Sequence, residues 1–463
     1  MVCVKMALEL KDIIKRDVIA GKVNQNLSPE MATILGCLHG SILKPNDILV
    51  IGRDFHKDGR MLKRAYGAGI MSTGVDLLNL HDSTFPLLQF TIRRFGASGG
   101  AYFSTGHLHN DDVEITFLDA GGFSYTNSQL QELVRYYKNY PQGIRRSAPV
   151  NIGKISSIPH TVDIYLKALP QFVNKSIISM ANLKVVVDCS FGPTGTITPN
   201  LLSSLDVDVV ALNTYHQERA TKAAVPNIST IRSCADIVRA SGSDLGVCFS
   251  ADGRRLIVVD ETGIEIEFED LFMLFLSHDE KIQDSKPNNV IVSDTASKIL
   301  DDYVKSQGFA LIKKPDKPGV LSRAIREERA CFAASDSFKF YFPYFGPISD
   351  ATLTLIKILD IMSSNNALLS DLTRNFPKTN RISRFISVDS DFLDNFHNFI
   401  IEKIQTNHLE YIDIINEVKL ISEGMNVLVK LSLPRNAVVL SAESDEDKNA
   451  KEKLKKVEEL LFD

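Results

Sequence analysis

The stretch DLGVCFSADGRRLIVVDETG sets a polar loop, Ser250 to Arg255, between two apolar runs. A loop at the carboxyl end of a buried strand is where α/β sheets hold ligands. This one carries a single carboxylate, Asp252, beside two guanidiniums, Arg254 and Arg255. A hard divalent cation asks for several converging carboxylate oxygens, and a fixed arginine charge at close range opposes it. The chemistry these residues suit is an ion pair within the loop or contact with a bound phosphate. A second candidate is the aromatic run Phe338, Phe340, Tyr341, Phe342, Tyr344 and Phe345. Such rings can stack on a sugar, but packing between elements is their commoner use and is the expectation here. The cysteines at 3, 37, 189, 234, 248 and 331 show neither CxxC pairs nor metal-ligand spacing. Several sit in apolar runs such as VVVDC and LGVCF, where a reduced thiol behaves as a small hydrophobe.

Placing such loops takes strands and helices in alternation, and the chain supplies them. At 463 residues it exceeds what one hydrophobic core organises, so three or four domains are expected. Hydrophobic residues make up 44% and charged residues 24%, the balance of a soluble folded protein. A formal net charge of -5 gives no basic field for nucleic acid, which argues against that partner. The opening MVCVKMALELKDIIKRD is too charged for a secretory signal, and no apolar run reaches membrane-spanning length. A cytoplasmic protein with no membrane partner is expected.

SPEMATILGCLHGSIL has helical spacing, NDILVIGRD reads as a buried strand, and GRMLKRAYGAGIMSTG returns to a helix. GVDLLNL, a helix from Phe85 to Phe95 and the strand GGAYFST continue the pattern, and residues 140–151, rich in Pro, Gly and Arg, read as a linker. A second unit runs through HTVDIYLKALPQFV, NLKVVVDCS, FGPTGTITPNLLSSL and DVDVVALN and closes on DLGVCFSADGRRLIVVDETG, two strands around the polar loop. A third repeats the grammar from the helix near Glu267, through NVIVSD and KSQGFALIKKPDKPG, to a helix from Asp350 to Met362. From about Ser370 the chain offers NVLVKLSLPRNAVVLSAES, a strand pair, and a charged helix with Leu454, Val457 and Leu461 on one face.

In this order and spacing, LKVVVDCSFGPTG, DLGVCFSADGRRLIVVDETG and IGRDFHKDGRMLKRAYGAGIMSTGVDLLNL resemble the α-D-phosphohexomutases, the phosphoglucomutase and phosphomannomutase family. The resemblance spans nearly the whole chain. It implies three similar mixed-sheet α/β domains at 1–150, 151–256 and 257–368, and a smaller C-terminal α+β domain at 369–463. In that family the first domain carries a phosphoserine, the second a divalent cation, the third grips sugar hydroxyls and the fourth holds the phosphate.

Each of those loops departs from the family pattern. The nucleophile loop TASHNP is matched by Ser104-Thr105-Gly106-His107-Leu108-His109, with Gly106 at the serine position and His107 alone retained. The metal loop DGDADR becomes Ser250-Ala251-Asp252-Gly253-Arg254-Arg255, with Ser250 and Arg254 replacing carboxylates around Asp252. The family's Mg2+ is therefore not expected, and Arg254 is expected to stand in for its charge, paired with Asp252 or a phosphate. The sugar loop GGExSGH aligns with Ala333 to Lys339, which leaves Ser335, Ser337 and Lys339 as polar contacts. In the phosphate loop, Lys430, Ser432 and Arg435 remain able to meet a phosphate, but Leu433 and Pro434 replace residues that built its nest of NH groups.

The resemblance thus implies a phosphohexomutase-like protein of carbohydrate metabolism without mutase activity, because phosphoryl transfer rests on positioning and charge neutralisation. It would bind a sugar phosphate at Arg255 and the third- and fourth-domain loops, or associate with a copy of itself, a mutase or a sugar nucleotidyltransferase. The alternative is an active mutase with a relocated phosphoryl carrier: His107, His109, Ser104 or Thr105.

Overall fold

Helix starts are written into the local sequence. Ser28 accepts from Met31 N ahead of Pro29, Thr84 accepts from Leu87 N ahead of Pro86, and Thr126 forms a capping box with Gln129. These caps open the helices Pro29–Ile42, Phe85–Phe95 and Asn127–Lys138. The computed structural model describes residues 13–15, 18–106, 112–215, 225–226, 228–378, 381–388, 390–414, 417–420, 427–432, 437–443 and 447–462.

The first sheet holds β1 (Ile14–Lys15), β2 (Val18–Lys22), β3 (Ile48–Arg53), β4 (Asp76–Asp82), β5 (Gly99–Thr105), β6 (Asp112–Asp119) and β7 (Ile155–Ser157), in the order β1-β2-β6-β5-β3-β4-β7. The second holds β8 (Lys184–Asp188), β9 (Asp208–Leu212), β10 (Leu245–Phe249) and β11 (Leu256–Asp260), ordered β11-β10-β8-β9. The third holds β12 (Asn289–Ser293), β13 (Ala310–Lys314), β14 (Phe332–Ser335) and β15 (Lys339–Tyr341), ordered β13-β12-β14-β15.

One motif recurs in all three. A central strand (β3, β8 or β12) pairs in parallel with the next two strands on its two sides. A fourth strand (β6, β11 or β15) then pairs antiparallel outside the third. The loop between third and fourth strands therefore leaves the same carboxyl edge each time. Those loops begin at Gly106, at Ser250 and after Ser335, so the three candidate loops occupy one topological position.

The last sheet is antiparallel, β16-β20-β19-β18-β17, from β16 (Arg381–Ser387), β17 (Tyr411–Ile414), β18 (Glu417–Leu420), β19 (Val427–Ser432) and β20 (Ala437–Glu443). The helix Asp447–Phe462 buries Leu454, Val457 and Leu461 against it, the face its spacing predicts. The fold is thus three mixed-sheet α/β units and a smaller antiparallel α+β unit, the expected class.

Two domain boundaries move. β7 pairs with β4, so the first sheet runs past residue 150. β11 pairs with β10, so the second runs past 256, through Asp260. The stretch between 140 and 151 is also no free linker: Arg145 donates to the carbonyls of Gly40, Leu43 and Thr73 and straps it to the first unit.

Close helix contact explains the glycines of GCLHG and GAGIM. A Cβ on Gly36 would stand 2.1 Å from Tyr66 O, and one on Gly69 would stand 2.2 Å from Thr33 O, so the helices Pro29–Ile42 and Lys57–Met71 touch backbone to backbone. Beneath this crossing, buried His39 bonds Tyr66 Oη at 2.6 Å through Nδ1 and Tyr125 Oη at 3.0 Å through Nε2. The second and third units share one apolar core that takes in the helices Phe268–His278 and Ala351–Asn365. The aromatic run is absorbed there, as expected: Phe340 and Phe342 are buried against Phe275, and Tyr344 stacks on Phe172. Cys37, Cys189, Cys234, Cys248 and Cys331 are free, buried thiols. Among the described residues, no helix is long and apolar enough to cross a membrane.

Candidate functional site

The turn Ser250–Arg255 closes on itself through Asp252. Its Oδ1 accepts from Ser250 Oγ (2.7 Å) and from Arg254 N (3.0 Å), and its Oδ2 accepts from Arg254 Nε (2.6 Å). Gly253 sits at φ +77, a left-handed conformation that a side chain resists. A Cβ there would also meet Thr84 and Thr194 at 3.1 Å.

Neighbouring units pin the loop. Phe85 N donates to Asp252 O, Ala351 N to Gly253 O and Ser349 Oγ to Arg254 O. The Arg254 guanidinium lies 4.3 Å over the Phe85 ring, a cation–π contact between the first and second units. Burial opposes the Arg254 charge, but Asp252 and Glu114 outweigh it and hold the group above its ordinary pKa. Arg255 is pushed the other way, first by burial and then by Arg254, against the pull of Asp252 and Asp316. Its Nη1 is buried and bonds no described residue.

In the third unit the structure gathers Ser335, Ser337 and Lys339 around a residue the sequence reading passed over, Asp316. Ser337 Oγ donates to Asp316 Oδ2 at 2.7 Å, Ser335 Oγ to the same oxygen at 2.5 Å, and Lys339 Nζ reaches both oxygens at 2.9 and 3.0 Å. Burial would raise the Asp316 carboxyl, but Lys339 and the two hydroxyls outweigh it and hold it well below the usual carboxylate range. Burial pushes Lys339 down to about 8 despite Asp316, and the nearby Arg255 and Arg254 act in the same direction. Asp316 follows Pro315 in a Pro-Asp-Lys-Pro turn after β13, a turn signal that could have drawn attention to it.

In the first unit Ser104 and Thr105 are buried. Asp54 Oδ2 accepts from Thr105 N (2.7 Å) and Thr105 Oγ1 (3.1 Å), so that hydroxyl is already committed to a carboxylate. Gly106 N donates to Asp112 O, which ends the strand pairing at the former serine position. Glu114 lies across the sheet from Ser104 and is a further acid acting on Arg254 and Arg255, after Asp252. His107, His109 and Arg435 lie outside the described residues, and of Lys430 and Ser432 only the backbone in β19 is described.

Charges from the first three units therefore act on one another here, with Arg254, Arg255 and Lys339 set against Asp252, Asp316 and Glu114. Both oxygens of Asp252 are taken within its own turn and a guanidinium stands beside them, so this turn does not fit a divalent cation. Among the described residues no group of three or more His, Cys, Asp or Glu is placed to hold one. What the arrangement can do is receive an anion at Arg255 Nη1, a buried donor with no hydrogen-bond partner among the described residues.

Residues 11–143 match the family model for phosphoglucomutase/phosphomannomutase alpha/beta/alpha domain I, and residues 163–263 match that for domain II. A phosphoglucomutase/phosphomannomutase from Thermococcus kodakarensis is 25% identical over 94% of this chain and 95% of its own. A phosphoglucosamine mutase from Natranaerobius thermophilus is 28% identical over 77% of this chain and 79% of its own. Among solved structures, a phosphoglucomutase/phosphomannomutase family protein from Burkholderia thailandensis superposes with a TM-score of 0.78 at 19% identity, covering 97% of both chains. The open form of the phosphoglucomutase parafusin from Paramecium superposes at 0.71 with 12% identity, covering 96% of this chain and 94% of its own.

Proposed function

The chain belongs to the α-D-phosphohexomutase family, and from that premise we propose that it binds a hexose phosphate where its loops meet without carrying out the family's phosphoryl exchange. The observation that carries this reading is the Arg254–Asp252 pair. Where the family pattern places carboxylates around a cation, this chain fills the turn with its own positive charge. Gly106 removes the nucleophile at the same time. Phosphoryl transfer depends on positioning and on neutralising developing charge, and removing one such element costs on the order of a hundredfold or more in rate.

Binding does not need either lost group. Arg255 offers a guanidinium with a buried, unmet donor, which suits a phosphate oxygen. Ser337 and Lys339 stand on Asp316 within the electrostatic reach of that guanidinium and would face the sugar hydroxyls. Burial works against the alternative of Ser104 or Thr105 as a relocated carrier, because the two residues are only 5% and 3% exposed.

Isothermal titration of glucose 6-phosphate into the wild-type chain and an Arg255→Gln variant tests the reading. A charge-assisted hydrogen bond is worth about 1.5–3 kcal/mol, so binding at the meeting loops should weaken at least tenfold in the variant. Binding unaffected by Arg255→Gln would rule the site out.

A further inference from the structure

A second concentration of positive charge lies on the other side of β3, away from the loops just described. The helix Lys57–Met71 carries Arg60, Lys63, Arg64, Gly67 and Met71 at spacings of three, four and seven that share one face. The carboxyl ends of β3 and β4 bring Arg53, Asn79, His81 and Asp82 to the same place. Together they enclose a cavity of about 440 Å³ with an apolar floor that includes Ile51, Met71 and Ile155. Ligand sites span roughly 300–1,000 Å³ and pair such floors with a few converging polar groups.

The charges do not balance. Four cations, Arg53, Arg60, Lys63 and Arg64, line the cavity against one acid, Asp82, which Arg53 already pairs. Arg60 and Arg64 are exposed and need no explanation, but Arg53 is only 4% exposed and Lys63 only 5%. Buried lysines are rare unless paired. The Lys63 ammonium has three donors, and Asn79 Oδ1 at 2.6 Å, which also accepts from His81 N, is a neutral partner for one of them. Burial and the neighbouring guanidiniums push Lys63 down to about 8, with Asp82 acting against them. His81, at the mouth, bonds Ser157 Oγ at 3.1 Å and is held by burial below its ordinary value. A cation that is buried, short of acceptors and surrounded by its own sign is the environment an anion relieves.

We propose that this cavity is a second anion site that takes the phosphate group of a small phosphate monoester, with Lys63 and Arg53 at its base and Arg60 and Arg64 closing over it. The site is separate from the loops around Arg255. The two are joined through Asp54, whose carbonyl accepts from Arg53 Nη1 and whose carboxylate holds Thr105.

The test is isothermal titration of inorganic phosphate and, separately, of glucose 6-phosphate into the full chain, an Arg60→Gln/Arg64→Gln variant and an Arg255→Gln variant. Both arginines of the double variant are exposed, so its fold is retained. Binding that survives Arg255→Gln and weakens at least tenfold in R60Q/R64Q supports the proposal. Equal affinity for the two probes identifies the phosphate group alone as the ligand, and tighter binding of the sugar ester identifies the monoester. If R60Q/R64Q binds both probes as the wild type does, or if Arg255→Gln abolishes all binding, the cavity is not an anion site.

Discussion

Arg254 Nε stands 2.6 Å from Asp252 Oδ2, with the two residues separated by one glycine in a turn whose carbonyls are held from two other parts of the chain, at Phe85 and at Ser349 and Ala351. The pair is largely buried, its side chains 18% and 2% exposed, so it is screened far less than a surface bridge. It ties together the loop geometry and the absence of room for a cation.

That relationship predicts a gain of function. Replacing Ser250→Asp and Arg254→Asp together gives the turn carboxylates at alternate positions around Asp252, and Gly253 preserves the left-handed corner. Calorimetric titration of magnesium should show stoichiometric binding in the double variant and none of comparable strength in the wild type. Tight magnesium binding by the wild-type turn would overturn the claim that Arg254 occupies the cation's place.

Asp316 should matter to stability out of proportion to its place in a turn. It accepts from Ser335, Ser337 and Lys339 at once, and removing one partner of a buried pair costs about 3–5 kcal/mol. Since 14% of its side chain and 12% of that of Lys339 remain exposed, the lower end is expected for Asp316→Ala in urea unfolding at neutral pH. Its carboxyl titrates below the ordinary range in the folded chain, so its contribution is present above the unfolded value and fades as pH falls. The gap between wild type and variant should therefore narrow on acidification; a constant gap contradicts the assignment.

His39 gives the first unit a distinct acid sensitivity. Burial pushes its imidazole down to about 3, while in the unfolded chain it titrates near its ordinary value of about 6.5. Between those values the unfolded chain binds a proton that the folded chain does not, so stability falls as pH drops, by roughly 1.4 kcal/mol per unit for this one group. His39→Gln removes the titration. Plotted against pH, wild-type stability should lose ground to the variant from about 6 to 4, and parallel curves would show that His39 is protonated in the fold.

Much of this was legible in the chain itself, for local reasons. The helix Phe85–Phe95 and the strand Gly99–Thr105 follow from caps and hydrophobic period, which act within a few residues. The Arg254–Asp252 pair follows from two charges one residue apart around a glycine. What escaped is long-range. Asp316 gains its role only when the turn after β13 meets the start of β15, and Lys63 only when a helix face closes over Asn79 at the end of β4. The boundary at 256 falls at the start of β11, although LIVVDETG already reads as the closing strand of the second unit, and β11 pairs there with β10.

The central claim is that Gly106 and Arg254 leave a phosphohexomutase scaffold without its reaction. The direct measurement is a coupled assay of glucose 1-phosphate conversion to glucose 6-phosphate by the purified full chain, with magnesium and a hexose bisphosphate activator, and with mannose 1-phosphate in parallel. No turnover above the uncatalysed background is expected with either sugar. Saturable turnover, proportional to the amount of this chain and abolished by a substitution at Arg255, would contradict it.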